Sequence, residues 1–166
     1  ARKGIEICAK YLVRAVKNGQ DEEARGQMMI AAITGAAAFQ KGLGAAHALA
    51  HALTPMCGVH HGLANAIVLP SVMEFNLPAA TETLAEAAVA MGEMPSDDKR
   101  ALAMKAIERV RGMNRDAGIP SGLKEVGVKA DLVAKIAEKA FEDASHQTNP
   151  RPCTAADLEA ICRAAL

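Results

Sequence analysis

The sequence predicts an all-α fold, a multi-helix bundle made by a single domain over residues 1–166. Three observations carry that expectation. Apolar residues recur at helical spacing through most of the chain, and no stretch shows the period-two alternation of a strand. Hydrophobic residues make up 51% of the chain, yet Tyr11, Phe39, Phe75 and Phe141 are its only aromatics, so the core must be built from Ala, Leu, Val, Ile and Met. Gly, Pro, Asn and Asp punctuate the apolar stretches where helices start and stop.

Ile5, Cys8, Leu12, Ala15 and Val16 predict the apolar stripe of a first helix that ends at Asn18-Gly19. This helix begins almost at Ala1 with no capping residue, which suggests a fragment whose upstream part is absent. A second helix opens at Asp21 with three acidic residues on the positive end of its dipole and runs to Gly42. Its middle, Ala31 to Ala38, is nearly all small, the composition of a tight helix crossing in a bundle core. A third helix is expected over Ala45 to Leu53, with a break at Thr54-Pro55 and a turn through Gly58. The fourth starts near His61 and meets Pro70, where a kink or break is expected, and Leu77-Pro78 closes the block. Thr81 to Met91, stopped by Gly92, and Asp97 to Ala117, stopped by Gly118, read as covering helices. Ser121 to Lys129 is a connector, followed by a helix marked by Leu132, Ile136 and Ala140 with Asp131 near its start. Two prolines bracket the stretch from His146 to Pro152 and keep it from being a helix, and His146 reads as a solvated connector residue. Thr154 with Asp157 then caps a last helix ending at Leu166.

Composition excludes several functions. Lys plus Arg and Asp plus Glu both number 19, which leaves no basic field for a phosphate backbone, and four aromatics provide no stacking platform for bases. Nucleic acid is therefore not an expected partner. The longest apolar run, Met28 to Phe39, is interrupted by Thr34 and is too short for a bilayer that needs about 20 residues, so no membrane partner is expected. No export signal is visible, and Cys8, Cys57, Cys153 and Cys162 lack CxxC spacing, which fits a reducing compartment, the cytoplasm.

The chemistry concentrates between Gly35 and Asn76. His47 and His51 are four residues apart in an alanine-rich helical run, so both imidazoles leave one helix face. His60 and His61 open the next helix, whose first-turn N–H groups lack internal partners. A single histidine on an apolar face is more often a hydrogen-bonded core residue, but four so close together make a metal site the stronger reading. Neutral imidazole ligates zinc, iron, copper and nickel alike. No Asp or Glu lies between Glu23 and Glu74, so the local sequence has no carboxylate to complete a site. Cys57 can join the histidines, an acid can come from elsewhere in the fold, or it can lie upstream of Ala1.

The run GLGAAHALAHALTPMCGVHHGLANAIVLPSVMEFN resembles the signature of the iron-containing, group III alcohol dehydrogenases, G-x-x-H-x-x-A-H-x-L followed by H-G-x-x-N-A-x-x-L-P-x-V-x-x-F-N. Arg25, Met28, Phe39 and Gly42-Leu43-Gly44 are similar to the family's lead-in helix, and Asn149-Pro150-Arg151 fits its C-terminal pattern. Two positions depart from it: Thr54 stands where glycine is frequent and His60 where proline is frequent. The related glycerol dehydrogenases and dehydroquinate synthases share the two-domain layout and a metal but not this central pattern.

The resemblance implies a dehydroquinate synthase-like helical domain that lacks its N-terminal Rossmann-like, dinucleotide-binding partner. It implies NAD(P)-dependent interconversion of a small alcohol with an aldehyde or ketone by metal-assisted hydride transfer, with this chain inactive alone. The family's metal is held by one Asp and three His. Two of those ligands carry over onto His47 and His61, and the other two fall before Ala1. His51 matches a histidine beside the nicotinamide and substrate oxygen, implicated in proton transfer. The implied cofactors are a divalent metal, iron(II) first and zinc(II) as the alternative, with NAD or NADP in the full-length parent; no cofactor-binding residue is assigned here. Two other readings stand beside this one: a non-enzymatic helical metal-binding module, and a domain that self-associates into a homo-oligomer through an apolar cleft left by a missing partner domain.

Overall fold

The computed structural model describes residues 1–166 as seven α-helices joined by turns and short 3-10 segments, with no strand. The helices are α1 (Arg2–Lys17), α2 (Glu22–Ala38), α3 (Ala45–Cys57), α4 (His61–Ala90), α5 (Lys99–Asp116), α6 (Val133–Phe141) and α7 (Ala155–Ala164). Two compact units divide the chain: one of Ala1–Lys41 with Ala80–Gly118, the other of Gly42–Ala79 with Ile119–Leu166.

In the first unit Asp21 caps α2 by accepting from the Ala24 N–H, and Asp98 caps α5 by accepting from the Ala101 N–H. The buried stripe of α1 is Gly4, Ile7 and Tyr11, one step away from the stripe its aliphatic residues predict; Val16 is exposed. Tyr11 supplies the reason, because its ring lies in the contact with α2 while its hydroxyl reaches out to donate to Glu23. The small-residue middle of α2 also departs from expectation. Only Ala24 and Ala31 of that helix are buried, against α1, whereas Met29 and Ile33 are each 68% exposed. From Met28 onward α2 is apolar or small nearly all round, so packing on one neighbour leaves an apolar face uncovered. α5 buries Leu102, Ala103, Ala106, Ile107 and Val110 at the helical spacing read from its sequence.

The second unit holds α3, the part of α4 up to Ala79, α6 and α7 around a core that includes Leu49, Leu53, Val68, Val133, Ile136 and Leu158. Each such side chain contributes roughly 1.5–3 kcal/mol on burial. That packing explains why Pro55 and Pro70 do not break their helices where the sequence predicts. α3 continues through Pro55 to Cys57, with the Thr54 hydroxyl donating to the Ala50 carbonyl one turn back. α4 passes Pro70 without a break but is kinked at Ala80 (φ −131°, ψ 22°), two residues after Pro78, so the expected close at Leu77-Pro78 and the new helix from Thr81 hold. A proline inside a helix costs about 3 kcal/mol, which the burial of Ile67, Val68, Val72 and Met73 around Pro70 offsets. Counted across that kink, α4 spans 30 residues and has the length and composition of a membrane span, a candidate that the sequence reading missed. In the fold 44% of its apolar window is buried inside the protein. Beyond Gly118, Leu123–Val126 is a 3-10 turn within the expected connector, and Thr154 and Asp157 form a reciprocal capping box at the start of α7. The segment before it is not fully irregular: Ala144–Thr148 is a 3-10 turn, and His146 is half-buried and stacks on Phe141 with ring centres 4.6 Å apart.

Candidate metal and proton-transfer site

All parts of this site belong to the second unit. Helix α3 starts at Gly44, a residue with no side chain to cap it, and the buried Ala45 N–H is satisfied from a distance by the Asn149 side-chain oxygen at 3.2 Å. Asn149 and Asn76, only 7% and 8% exposed, also bond to each other through both atoms of their amides, at 2.7 and 3.1 Å. Asn149 Nδ2 donates further to the Arg151 carbonyl, while the Arg151 guanidinium donates to the Phe75 carbonyl and lies 4.1 Å above the Phe75 ring. The Phe-Asn end of the central motif and the late Asn-Pro-Arg are thus two halves of one clamp that fixes where α3 begins. Just before it, Gly42 has φ +90°, and a Cβ there would lie 2.6 Å from Thr148 Oγ1, whose hydroxyl donates to the Leu43 carbonyl.

From that start His47 and His51 leave the same face of α3, and the chain turns back through Gly58 at φ +70° with Val59 buried, so that His61 opens α4 beside them. The three rings form a triangle. Their centres are 5.9 Å apart for His47–His51, 5.4 Å for His47–His61 and 5.2 Å for His51–His61, the last pair stacked at 18°. Asn65, one turn along α4, places its Nδ2 3.1 Å from His61 Nε2 and donates to the His61 carbonyl. An amide nitrogen is a donor only, so His61 Nε2 is the acceptor of that bond. His47 is half-buried, and burial, followed by the charges that His61 and His51 would carry, pushes its pKa down, with Asp143 acting in the opposite sense.

His60 stays outside the triangle. It is exposed and its Nδ1 accepts from the Gly62 N–H, a local bond that shapes the turn. Cys57 packs partly buried against the apolar core, which raises its thiol pKa. No group of three or more His, Cys, Asp or Glu stands close enough to hold a metal without help from outside the chain, so neither residue completes a zinc-type set.

An acid that the sequence reading did not single out reaches His51 as a hydrogen-bond partner, without completing a metal-holding group. Asp143, 92 residues from His51, brings its Oδ2 to 2.8 Å from His51 Nδ1. It leads the 3-10 turn after α6, and its Oδ1 accepts from the Ser145 N–H at 2.7 Å. Partial burial works to raise the carboxyl pKa, but bonds from Ser145 and His51 outweigh it and bring the value down to about 2. A local signal existed in Asp-x-Ser, the pattern of an Asx turn; nothing local linked it to His51. The pair borders an open cavity of about 260 Å³ also lined by Ala52 and by Lys139 and Glu142, which form an ion pair at 2.7 Å.

Residues 1–166 match the profile of the Fe-containing alcohol dehydrogenase family, C-terminal. The chain is 38% identical over 168 residues to the NAD-dependent methanol dehydrogenase of Bacillus methanolicus, covering 100% of this chain and 44% of that protein. It superposes on the crystal structure of a 1,3-propanediol oxidoreductase with a TM-score of 0.96 at 35% identity, covering 99% of this chain and 44% of that one. An alcohol dehydrogenase from Oenococcus oeni aligns with a TM-score of 0.94 at 34% identity, with the same coverage of both chains. The chain therefore spans less than half the length of the relatives it matches.

Proposed function

The chain belongs to the iron-containing alcohol dehydrogenase family, and from that membership we propose that it is the metal-binding helical domain of an NAD(P)-dependent dehydrogenase acting on a small alcohol or its aldehyde or ketone. The remainder, including an N-terminal dinucleotide-binding domain, would lie in the rest of a longer protein, and the helical domain alone would be inactive. The single observation that supports this reading is the His47–His51–His61 triangle.

In this reading His47 and His61 supply two ligands to a divalent ion, iron(II) first and zinc(II) as the alternative, and the others come from outside this chain. Two imidazoles sharing one ion at about 2.0–2.1 Å per nitrogen have ring centres roughly 5 Å apart, and this pair is at 5.4 Å. The state of the His47 ring agrees. The lowered pKa of His47 favours the neutral form that ligates. When bound, the ion would supply Lewis acidity toward an alcohol oxygen and NAD(P) would supply a hydride acceptor. His51, whose side chain is 40% exposed, is the residue assigned to proton movement, because it matches the histidine that the family resemblance places beside the nicotinamide and substrate oxygen. The four free cysteines support a cytoplasmic setting.

The full-length dehydrogenase should reduce NAD or NADP when offered short primary alcohols and diols, and should stop doing so when its metal is chelated. Inertness toward such a panel with metal restored would overturn the proposal. A second reading, self-association of this chain when isolated, is favoured by the uncovered Met29 and Ile33 on α2. Sedimentation across a concentration series tests it, and a strict monomer refutes it.

A further inference from the structure

The His51–Asp143 contact has a consequence that reaches beyond the metal-binding reading. A carboxylate is acceptor-only, so a neutral His51 bonded to Asp143 through Nδ1 must carry its proton on Nδ1 and leave Nε2 bare. The two oxygens of Asp143 have separate partners: Oδ1 is tied to the Ser145 backbone and Oδ2 meets His51. The ring plane is set independently, by stacking on His61 at 5.2 Å and 18°. Stacking fixes the plane, and the Asp143 bond fixes which edge faces which way.

We propose that Asp143 is a positioning residue for His51, holding the imidazole by Nδ1–H in one tautomer and one rotamer so that Nε2 is the proton-accepting edge of the site. The geometry is that of a base oriented by a carboxylate held in turn by backbone. In the dehydrogenase reading Nε2 is the edge that exchanges the proton, while Nδ1–H stays bonded to Asp143 throughout. Asp143 neither gains nor loses a proton in this exchange. Lys139 and Glu142 border the same cavity but pair with each other. The catalytic consequence rests on the dehydrogenase reading; the tautomer does not.

The test is nitrogen NMR of the 166-residue chain with labelled histidine, at about pH 8.5, two units above the ordinary imidazole value of ~6.5. His51, assigned by its loss in His51→Gln, should show a protonated Nδ1 and a bare Nε2 in at least about tenfold excess over the other tautomer, the ratio a charge-assisted bond sustains. Asp143→Ala should reverse the preference to the Nε2–H form that unrestrained imidazoles favour, and Asp143→Glu should recover the Nδ1–H form in part. Asp143→Asn, close in size and able to keep the turn, serves if the alanine variant does not fold, and should also lose the excess. A wild-type His51 protonated at Nε2, or a pattern unchanged in both the Ala and Asn variants, would overturn the proposal. Failure of the full-length protein to oxidise alcohols would sink the dehydrogenase reading while leaving the tautomer result intact.

Discussion

Replacing Asn149 with alanine removes one side chain but strands three buried polar groups. The Ala45 N–H loses its acceptor, and both atoms of the Asn76 amide lose their partner, in a place where neither asparagine is more than 8% exposed. The Arg151 carbonyl also loses a donor, but Arg151 is exposed and water can replace it. Each buried group left unpaired costs roughly 1–3 kcal/mol. Some relief from entering water puts the expected loss at about 3–4 kcal/mol, a large share of the ~5–15 kcal/mol that stabilises a typical domain. Urea unfolding followed by circular dichroism measures it. Because Asn76 and Asn149 act as one unit, Asn76→Ala added to Asn149→Ala should cost less than about 1 kcal/mol more. His60→Ala, which loses only a local bond on an exposed turn, is the control and should fall within about 0.5 kcal/mol of wild type. A loss below about 1 kcal/mol for Asn149→Ala, or full additivity with Asn76→Ala, would refute the clamp.

Gly42→Ala should destabilise by about 2 kcal/mol or more, since the residue sits at φ +90° and its new Cβ would press on Thr148 at 2.6–2.8 Å; equal urea midpoints for variant and wild type would contradict this. Asp143 has a folded-state pKa of about 2, below its ordinary 3.8, so the stability it adds is present above about pH 4 and disappears as pH falls through 2. The shift is worth at most ~2 kcal/mol, and Asp143→Asn should flatten the acid limb of a stability–pH curve in that window; an unchanged limb argues against the Asp143 bonds. If α2 drives self-association, Ile33→Glu should raise the dissociation constant at least about tenfold in sedimentation equilibrium, whereas an unaltered constant would place the contact elsewhere.

What could be read from the sequence was mostly local. Asp21, Thr154 and Asp157 cap the helices they seem made for because a cap bonds within three residues of itself. The convergence of His47, His51 and His61 was legible from helical spacing and a glycine turn, and the family signature then gave those residues expected roles. Pro55 and Pro70 misled because their cost is local while the compensation around Pro70 comes from residues of several helices packed together; Pro78 was read correctly, since the helix kinks at Ala80. The stripe of α1 was read one step off: Cys8 and Ala15 do pack at the contact with α2, but its buried centre is Gly4, Ile7 and Tyr11, the last with an outward hydroxyl. Asp143 and Asn149 were invisible as partners of α3 for a simpler reason: they reach it across 92 and 104 residues of chain, through a fold and not a pattern.

The most direct measurement takes the full-length dehydrogenase proposed here and determines metal content and alcohol oxidation side by side in His47→Ala, His61→Ala and His51→Ala. The account predicts that the first two lose metal and activity together, and that His51→Ala keeps its metal while its turnover falls about 10²-fold or more, the usual weight of a lost proton-transfer group. Loss of metal in His51→Ala to the same degree as the others would contradict the division of roles and make all three histidines ligands.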